Sequence, residues 1–284
     1  FIIYSDLLCN LYQHLSCTLT ACLPFARPGP VLTWFLDPGI SSNPPGTPSI
    51  RERVELSGPV ARRWLAKTDN FLANEFPFGA SSFAEYLTTH WRTPLWIAAC
   101  WLRGLRQRPP RNLDQIDLAV SNDLDFLMTM QVELGPDVLV AQTPESFAFS
   151  WPGDLPFGIT DGTADVMSYG DEVEMPHTAP GATVIVGNDI DWLPPNLLED
   201  PQKTLLRLDD LLTRDYLGLE GELSNPASRL DQHRVLVTTA NPTLFTAQLI
   251  QLWIRGASVV WVPGGVDAES IATTEKVTLT VLSR

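Results

Sequence analysis

The apolar positions of this chain change period several times, and each change predicts an element. Val31 to Leu36 (VLTWFL) is a run of β-formers, and Arg53 to Leu56 (RVEL) alternates as a half-buried strand does. Between them, 37–49 is dense in Pro, Gly, Ser and Asn, so the pair reads as a hairpin with a long tip. Ser57 then caps a helix running to Phe76, with Pro59 in its first turn and a stripe formed by Trp64, Leu65, Thr68, Phe71 and Leu72. Ser82 to Leu87 predicts a strand and Trp91 to Leu105 a helix, with Gly104 near its end. Asp137 to Ala141 and Ala182 to Val186 read as short buried strands. Between Thr143 and Pro180 the pattern is weak and turn signals are frequent. Lys203 to Tyr216 predicts an amphipathic helix. So do Leu7, Leu8, Leu11, Leu15 and Leu19, at helical spacing near the start.

The clearest unit comes last. Arg234 to Thr238 is a strand, Pro242 to Arg255 a helix, and Gly256 to Val262 a strand entered through a glycine. Val266 to Thr274 is a helix and Lys276 to Val281 a strand. Continuously apolar strands alternating with helices predict an α/β fold: layered sheets of parallel strands with helices on both faces. The 284 residues are expected to form one region, with a division into 1–180 and 181–284 as the alternative. The last unit reads as cut short within or just after a strand.

Composition narrows the class. A hydrophobic content of 44% supports a substantial core. A net charge of −14 and a pI near 4.6 argue against a nucleic-acid partner, which needs a basic face. The first 25 residues have no basic n-region, and polar residues from Asp6 to Thr18 break any membrane span. The four cysteines lie at no metal-ligand spacing and predict reduced thiols in a cytoplasmic protein.

Motifs for chemistry are sparse. The Walker pattern, the dinucleotide GxGxxG and the nucleophile elbow GxSxG are all missing from the sequence. Gly264 and Gly265 follow a strand and could offer backbone amides to an anion, or simply turn the chain. His90 sits at a strand-to-helix junction, where open α/β sheets bind ligands, or packs there as a core histidine. Asp189 and Asp191 follow the strand ending at Val186 and could hold Mg²⁺ through oxygens, or be solvated. Thr239 and Asn241, with Thr238, end a buried strand and either face a cleft or cap the next helix. No metal site is expected.

Several segments, in order, resemble adenylate-forming enzymes. Arg53-Val-Glu-Leu-Ser57 followed by Trp64-Leu-Ala-Lys-Thr-Asp-Asn-Phe-Leu72 resembles their opening strand and helix. Thr89-His-Trp-Arg-Thr-Pro94 with Trp101-Leu-Arg-Gly104 is similar to the next strand–helix unit. The resemblance is closer to short bacterial acyl-CoA-synthetase-like proteins. These share the Thr-His-Trp turn and segments like Leu155-Pro-Phe-Gly-Ile-Thr-Asp161 and Tyr169-Gly-Asp171. Gly256-Ala-Ser-Val-Val260 and Lys276-Val-Thr278 are also similar, so the match covers roughly 5–284. It implies the N-terminal domain fold of AMP-binding synthetases and ligases.

The departures imply lost chemistry. The family's Ser/Thr/Gly-rich phosphate loop belongs near 182–233, where the sequence reads GATVIVGNDIDWLPPNLLED. The turn before the third strand is altered to Gly79-Ala-Ser-Ser82. The residues given also stop before the family's adenine and Mg²⁺ motif and its small C-terminal domain. ATP and Mg²⁺ are therefore not supported as cofactors, and no catalytic residue carries over. The expectation is a degenerate relative that binds an acyl, nucleotide or protein ligand. The alternatives are an enzyme of altered chemistry using strand-end polar residues, or a non-enzymatic interaction protein, with a homodimer covering exposed apolar surface.

Overall fold

The computed structural model describes residues 29–36, 52–75, 82–108, 116–133, 138–172, 183–186, 205–207, 215–225, 227–265 and 267–281. Asp189, Asp191 and the N-terminal helix expected over 1–25 lie outside them. Twelve described strands form two sheets. In the first, β1 (Pro30–Phe35) pairs antiparallel with β2 (Arg53–Ser57) and parallel with β11 (Ser258–Trp261). Then come β10 (Arg234–Val237) and β12 (Leu279–Val281), for an order β12-β10-β11-β1-β2. The second sheet has the order β7-β6-β5-β3-β4-β8-β9. It comprises β3 (Ser82–Tyr86), β4 (Arg106–Gln107), β5 (Leu118–Ser121), β6 (Val138–Ala141), β7 (Ile159–Asp161), β8 (Thr183–Val186) and β9 (Leu205–Arg207). It is parallel except for β9 at the edge.

The described α-helices are α1 (Gly58–Glu75), α2 (Thr93–Leu102), α3 (Leu124–Glu133), α4 (Ala164–Met167), α5 (Pro242–Ile254) and α6 (Ala268–Thr274). Strand alternation sorts the core into layers, because successive side chains point to opposite sheet faces. Leu118, Val120 and Val140 join the main core. Ala119, Leu139 and Ala141 turn to the other face and pack with Leu127 and Met130 of α3. Likewise Val235, Val237, Val259 and Trp261 face the main core, whereas Leu236 and Val260 pack with Ile271 of α6. The result is five layers: α3, the second sheet, a middle layer of α1, α2 and α5, the first sheet, and α6.

In the middle layer α2 contacts both α1 and α5. All ten of its residues are buried. Its sequence, TPLWIAACWL, carries no charge, as a helix enclosed on every side requires. Two Trp rings, Trp253 and Trp261, join Trp34 and Trp101 among the largest fully buried side chains. Trp253 Nε1 donates to Val31 O at 3.0 Å and Trp261 Nε1 to Thr239 O at 2.9 Å, so two of these indoles bury without leaving a donor unpaired.

Polar contacts clamp α1 in place. Arg103, just past α2, donates from Nε to Asp69 Oδ1 at 2.8 Å and from Nη2 to Oδ2, and Asp69 is fully buried. Lys67 Nζ donates to Met167 O at 3.0 Å, and Asn70 Nδ2 to Gly170 O at 3.1 Å. These bonds explain why Leu65 to Leu72 is buried throughout instead of along one stripe.

The structure departs from the sequence expectation in places. A helix was expected over Lys203 to Tyr216, but Leu205–Arg207 is β9, paired antiparallel with β8. An edge strand with unpaired N–H and C=O groups favours a neighbour, and that pairing outweighs a local helical pattern. The helix expected from Trp91 begins at Thr93, with Pro94 in its first turn. β4, β5, α3, β7 and α4 come from stretches in which no element was expected.

The clamp makes a prediction. Arg103→Ala removes the guanidinium from a buried carboxylate and should cost about 3–5 kcal/mol. Asn241→Ala, which removes only a helix cap, should cost about 1 kcal/mol. Urea denaturation of both variants measures the gap.

Candidate functional site

In each sheet the chain reverses its direction of travel, and ligands of open α/β folds bind where it does so, at the strands' C-terminal ends. In the second sheet the reversal is at β3. The chain runs from β3 through α2 to β4 on one side, then returns to β5 on the other. In the first sheet it is at β10, which has β11 on one side and β12 on the other. His90 belongs to the first of these places and Thr239 and Asn241 to the second. They are linked through β1: Trp34 packs edge-on against His90 at 5.1 Å and stands opposite Trp261 in the parallel register. Trp34 Nε1 also donates to Thr89 O at 3.2 Å.

His90 is buried. Its Nδ1 accepts the Arg92 N–H at 3.2 Å, and its Nε2 lies 3.3 Å from Ser146 Oγ. A neutral imidazole whose Nδ1 accepts carries its proton on Nε2, so Nε2 donates to Ser146. That polarity is the reverse of a serine nucleophile activated by a histidine base. Burial, then the charge of Arg92, pushes the His90 pKa down to about 3. The ring is thus an uncharged strut at ordinary pH.

Arg92, which the sequence reading passed over, is the centre of the arrangement. It precedes the first turn of α2 and is buried. Its guanidinium lies over the Trp91 ring at 4.4 Å and the Trp64 ring at 5.1 Å. Nη1 donates to Glu145 O at 2.9 Å, and Nη2 to Ser146 O and Ala148 O at 3.2 Å each. One cation therefore fastens the loop after β6 to the start of α2. Burial lowers its pKa to about 10, so it stays charged at neutral pH.

Beside it, Trp96 Nε1 donates to Gln142 Oε1 at 2.8 Å, and Gln142 Nε2 to Thr163 Oγ1 at 2.9 Å. Trp64, Arg92, Leu95, Trp96, Gln142 and Val166, among others, line a tight indentation here with no room for even a water molecule. The gap between β3 and β5 is closed by Thr88 N–H donating to Asn122 Oδ1 at 3.2 Å and Ser121 Oγ donating to Tyr86 O at 2.8 Å.

At the β10 end the capping alternative holds. Asn241 is the N-cap of α5, accepting from Leu244 N–H at 2.9 Å, and Thr239 Oγ1 accepts from Asn241 N–H at 3.2 Å. The Gly264 N–H donates to Thr238 O at 3.0 Å, so that amide is engaged within the fold. Its φ of 73° is left-handed and explains the glycine, as a turn would; Gly265 closes the same short turn. Among the described residues no group of three or more His, Cys, Asp or Glu could hold a metal ion. No described helix is long and apolar enough to cross a membrane.

One further carboxyl stands out. Glu85 of β3 is half-buried. Its Oε2 accepts the Leu87 N–H at 3.2 Å and its Oε1 lies 3.4 Å from Gln107 Nε2. Gln107 Nε2 also donates to Thr243 Oγ1 of α5 at 2.8 Å. Burial pushes the Glu85 pKa up to about 7.

Solved structures share this architecture. An acyl-CoA synthetase from Brucella canis superposes with a TM-score of 0.60 at 16% identity, over 93% of this chain and 47% of that one. The acetoacetyl-CoA synthetase of Streptomyces lividans gives 0.61 at 12%, over 95% and 41%. The chain has the fold of the N-terminal domain of acyl-CoA synthetases. The amide bond synthetase McbA of Marinactinospora thermotolerans shares it too, at a TM-score of 0.52 and 13% identity over 80% of this chain and 43% of that one. The chain thus spans less than half the length of each of these synthetases. In sequence, a TIGR03089 family protein of Mycobacterium tuberculosis is 29% identical over 171 residues, 56% of this chain and 68% of that protein. No family model matches.

The two shifted groups make opposite predictions for stability against pH. His90 titrates at about 3 folded and 6.5 unfolded, so the unfolded chain takes up the proton first and stability falls as pH drops from 6.5 towards 3. Glu85 titrates at about 7 folded and 4.5 unfolded, so its contribution is present below 4.5 and lost as pH rises through 7. Glu85→Gln should therefore raise the thermal midpoint at pH 8 by more than it does at pH 4, read by circular dichroism melts at both.

Proposed function

We propose that this chain is a relative of adenylate-forming enzymes that does not adenylate, and that it keeps the synthetase-like fold to bind an acyl, nucleotide or protein ligand. The observation that carries the reading is how the polar groups at the two reversal points are used. His90 donates to a serine instead of accepting from it, and Arg92 grips three backbone carbonyls. Asn241 caps a helix, and the Gly264 amide is bonded to Thr238. A phosphate-binding site needs free backbone amides and a cation aimed at solvent. Here the Nη atoms of the Arg92 cation and the Gly264 amide are turned to structural ends, and Arg92 Nε is buried without a partner. The sequence between Gly181 and Asp200 offers no Ser/Thr/Gly-rich loop to replace them.

Asp189 and Asp191 remain the acidic candidates for a cation-assisted role. The rival in which His90 performs altered chemistry is disfavoured by its tautomer and depressed pKa.

Thermal-shift and calorimetric titrations with ATP–Mg²⁺, AMP, CoA and fatty acids test the reading. A ligand at 100 times its dissociation constant adds about 2.7 kcal/mol of stability. ATP–Mg²⁺ should add none of this, and Asp189→Ala with Asp191→Ala should change nothing in its titration. Stabilisation by ATP–Mg²⁺ that the double variant loses would overturn the proposal.

A further inference from the structure

The loop that Arg92 grips presents aromatic side chains to solvent. The guanidinium holds the carbonyls of Glu145, Ser146 and Ala148 inward, and the interleaved Phe147 and Phe149 point out, 69% and 83% exposed. Farther on, Trp151 N–H donates to Asp161 Oδ2 at 2.7 Å, and Trp151 and Leu155 pack against the core beneath α3. Gln131 of α3 donates from Nε2 to Phe157 O at 3.2 Å, and the Phe157 side chain is 99% exposed. Val132, next to Gln131 on α3, is 85% exposed, and Met128 lies one turn before it. The loop is thus pinned at three points, at 145–148, 151 and 157, while its large apolar groups face water.

Single exposed apolar residues need no explanation, but a grouping of large aromatics on a pinned loop beside exposed apolar helix positions marks an interaction surface. Rigid aromatics also bind at low cost in ordering.

Charge says what covers it. From Asn112 to Gln202 the sequence contains no Lys and no Arg, yet it carries more than half of the chain's 33 acidic residues. Asp123 and Asp125 at the start of α3, and Glu145 and Asp154 of the loop, are exposed on the same two segments as the apolar groups. A second copy of the chain docking through this same face would set acid against acid, and an anionic lipid surface or nucleic acid would be repelled as well.

We propose that the α3 face and the 145–157 loop form a docking surface for a cationic, amphipathic segment of a partner protein. Apolar side chains of the partner cover Phe149, Phe157 and Val132, and its Lys or Arg residues meet these acidic residues. The inference is independent of whether the strand ends bind a small ligand.

The test uses a fluorescein-labelled amphipathic Leu/Lys helical peptide as probe, a Leu/Glu peptide as its counterpart, and anisotropy titrations with the full chain. The Leu/Lys peptide should bind and weaken as salt rises from about 50 to about 300 mM, which shortens the screening length below 10 Å. The Leu/Glu peptide should not bind. Phe149→Ser with Phe157→Ser should weaken binding about tenfold or more, as loss of interface anchors does. Asp125→Lys with Asp154→Lys should weaken it comparably and flatten the salt dependence. All four side chains are exposed, so melting midpoints should hold within a few degrees. The proposal is overturned by absence of binding or by binding that ignores the Phe substitutions. It is overturned equally by a chain that dimerises and becomes monomeric in the Phe variant, since the occupant would then be a second copy.

Discussion

The complete burial of α2 is the constraint on which the rest of the structure depends. A helix of ten buried residues, all apolar but Thr93, between two sheets gains from the hydrophobic effect along its whole length. Its ends are the difficulty, because a helix leaves unpaired N–H groups at its start and unpaired carbonyls at its finish. Thr93 N–H donates to His90 O at 3.0 Å at the start, and Arg103 N–H donates to Ala99 O at 3.1 Å at the finish. The chain leaves through Gly104, whose φ of 71° is left-handed. The side chains just outside the helix, Arg92 and Arg103, then reach sideways to carbonyls and a carboxylate on neighbouring elements. The polar framework is a consequence of enclosing α2.

That enclosure also explains the character of the strand ends. A catalytic group must present a free lone pair or proton to a substrate. The groups around α2 are instead consumed in fastening loops: His90 to Ser146, Arg92 to 145–148, Gln142 to Trp96 and Thr163. Cys100, in the middle of the helix, is a free thiol that burial pushes well above its usual pKa, which makes it an unreactive core residue. Glu85 is the exception, a carboxyl that titrates near neutrality where α5 and the second sheet meet, and its effect falls on stability instead of turnover.

The sequence made the C-terminal half of the first sheet readable because β10 and β11 are continuously apolar and are separated by Pro, Gly and capping Asn. It made β5 and β7 unreadable, since LAVS and ITD are too short to carry a period and owe their pairing to neighbours distant in sequence. Of the site, His90, Thr239 and Asn241 were legible as strand-end residues. Their roles were not, because those depend on the direction of each hydrogen bond. Arg92 stood within the Thr89-to-Pro94 segment of the resemblance, but nothing local signalled its role. It makes no side-chain cap bond, and its acceptors lie 53 to 56 residues away.

The same long-range bond has a consequence on the outer surface. Three inward-turned carbonyls at 145, 146 and 148 fix the backbone, so Phe147 and Phe149 face water with little freedom to retreat. If the loop were free, these rings would collapse onto the nearest apolar surface, which is favourable by about 25 cal/mol per Å² removed from water. The buried Arg92 cation, which lies over the Trp91 and Trp64 rings and holds the three carbonyls inward, opposes that collapse. Exposed aromatics maintained by such an anchor, within a stretch that has acids and no basic residue, are the arrangement of a surface awaiting a positively charged partner.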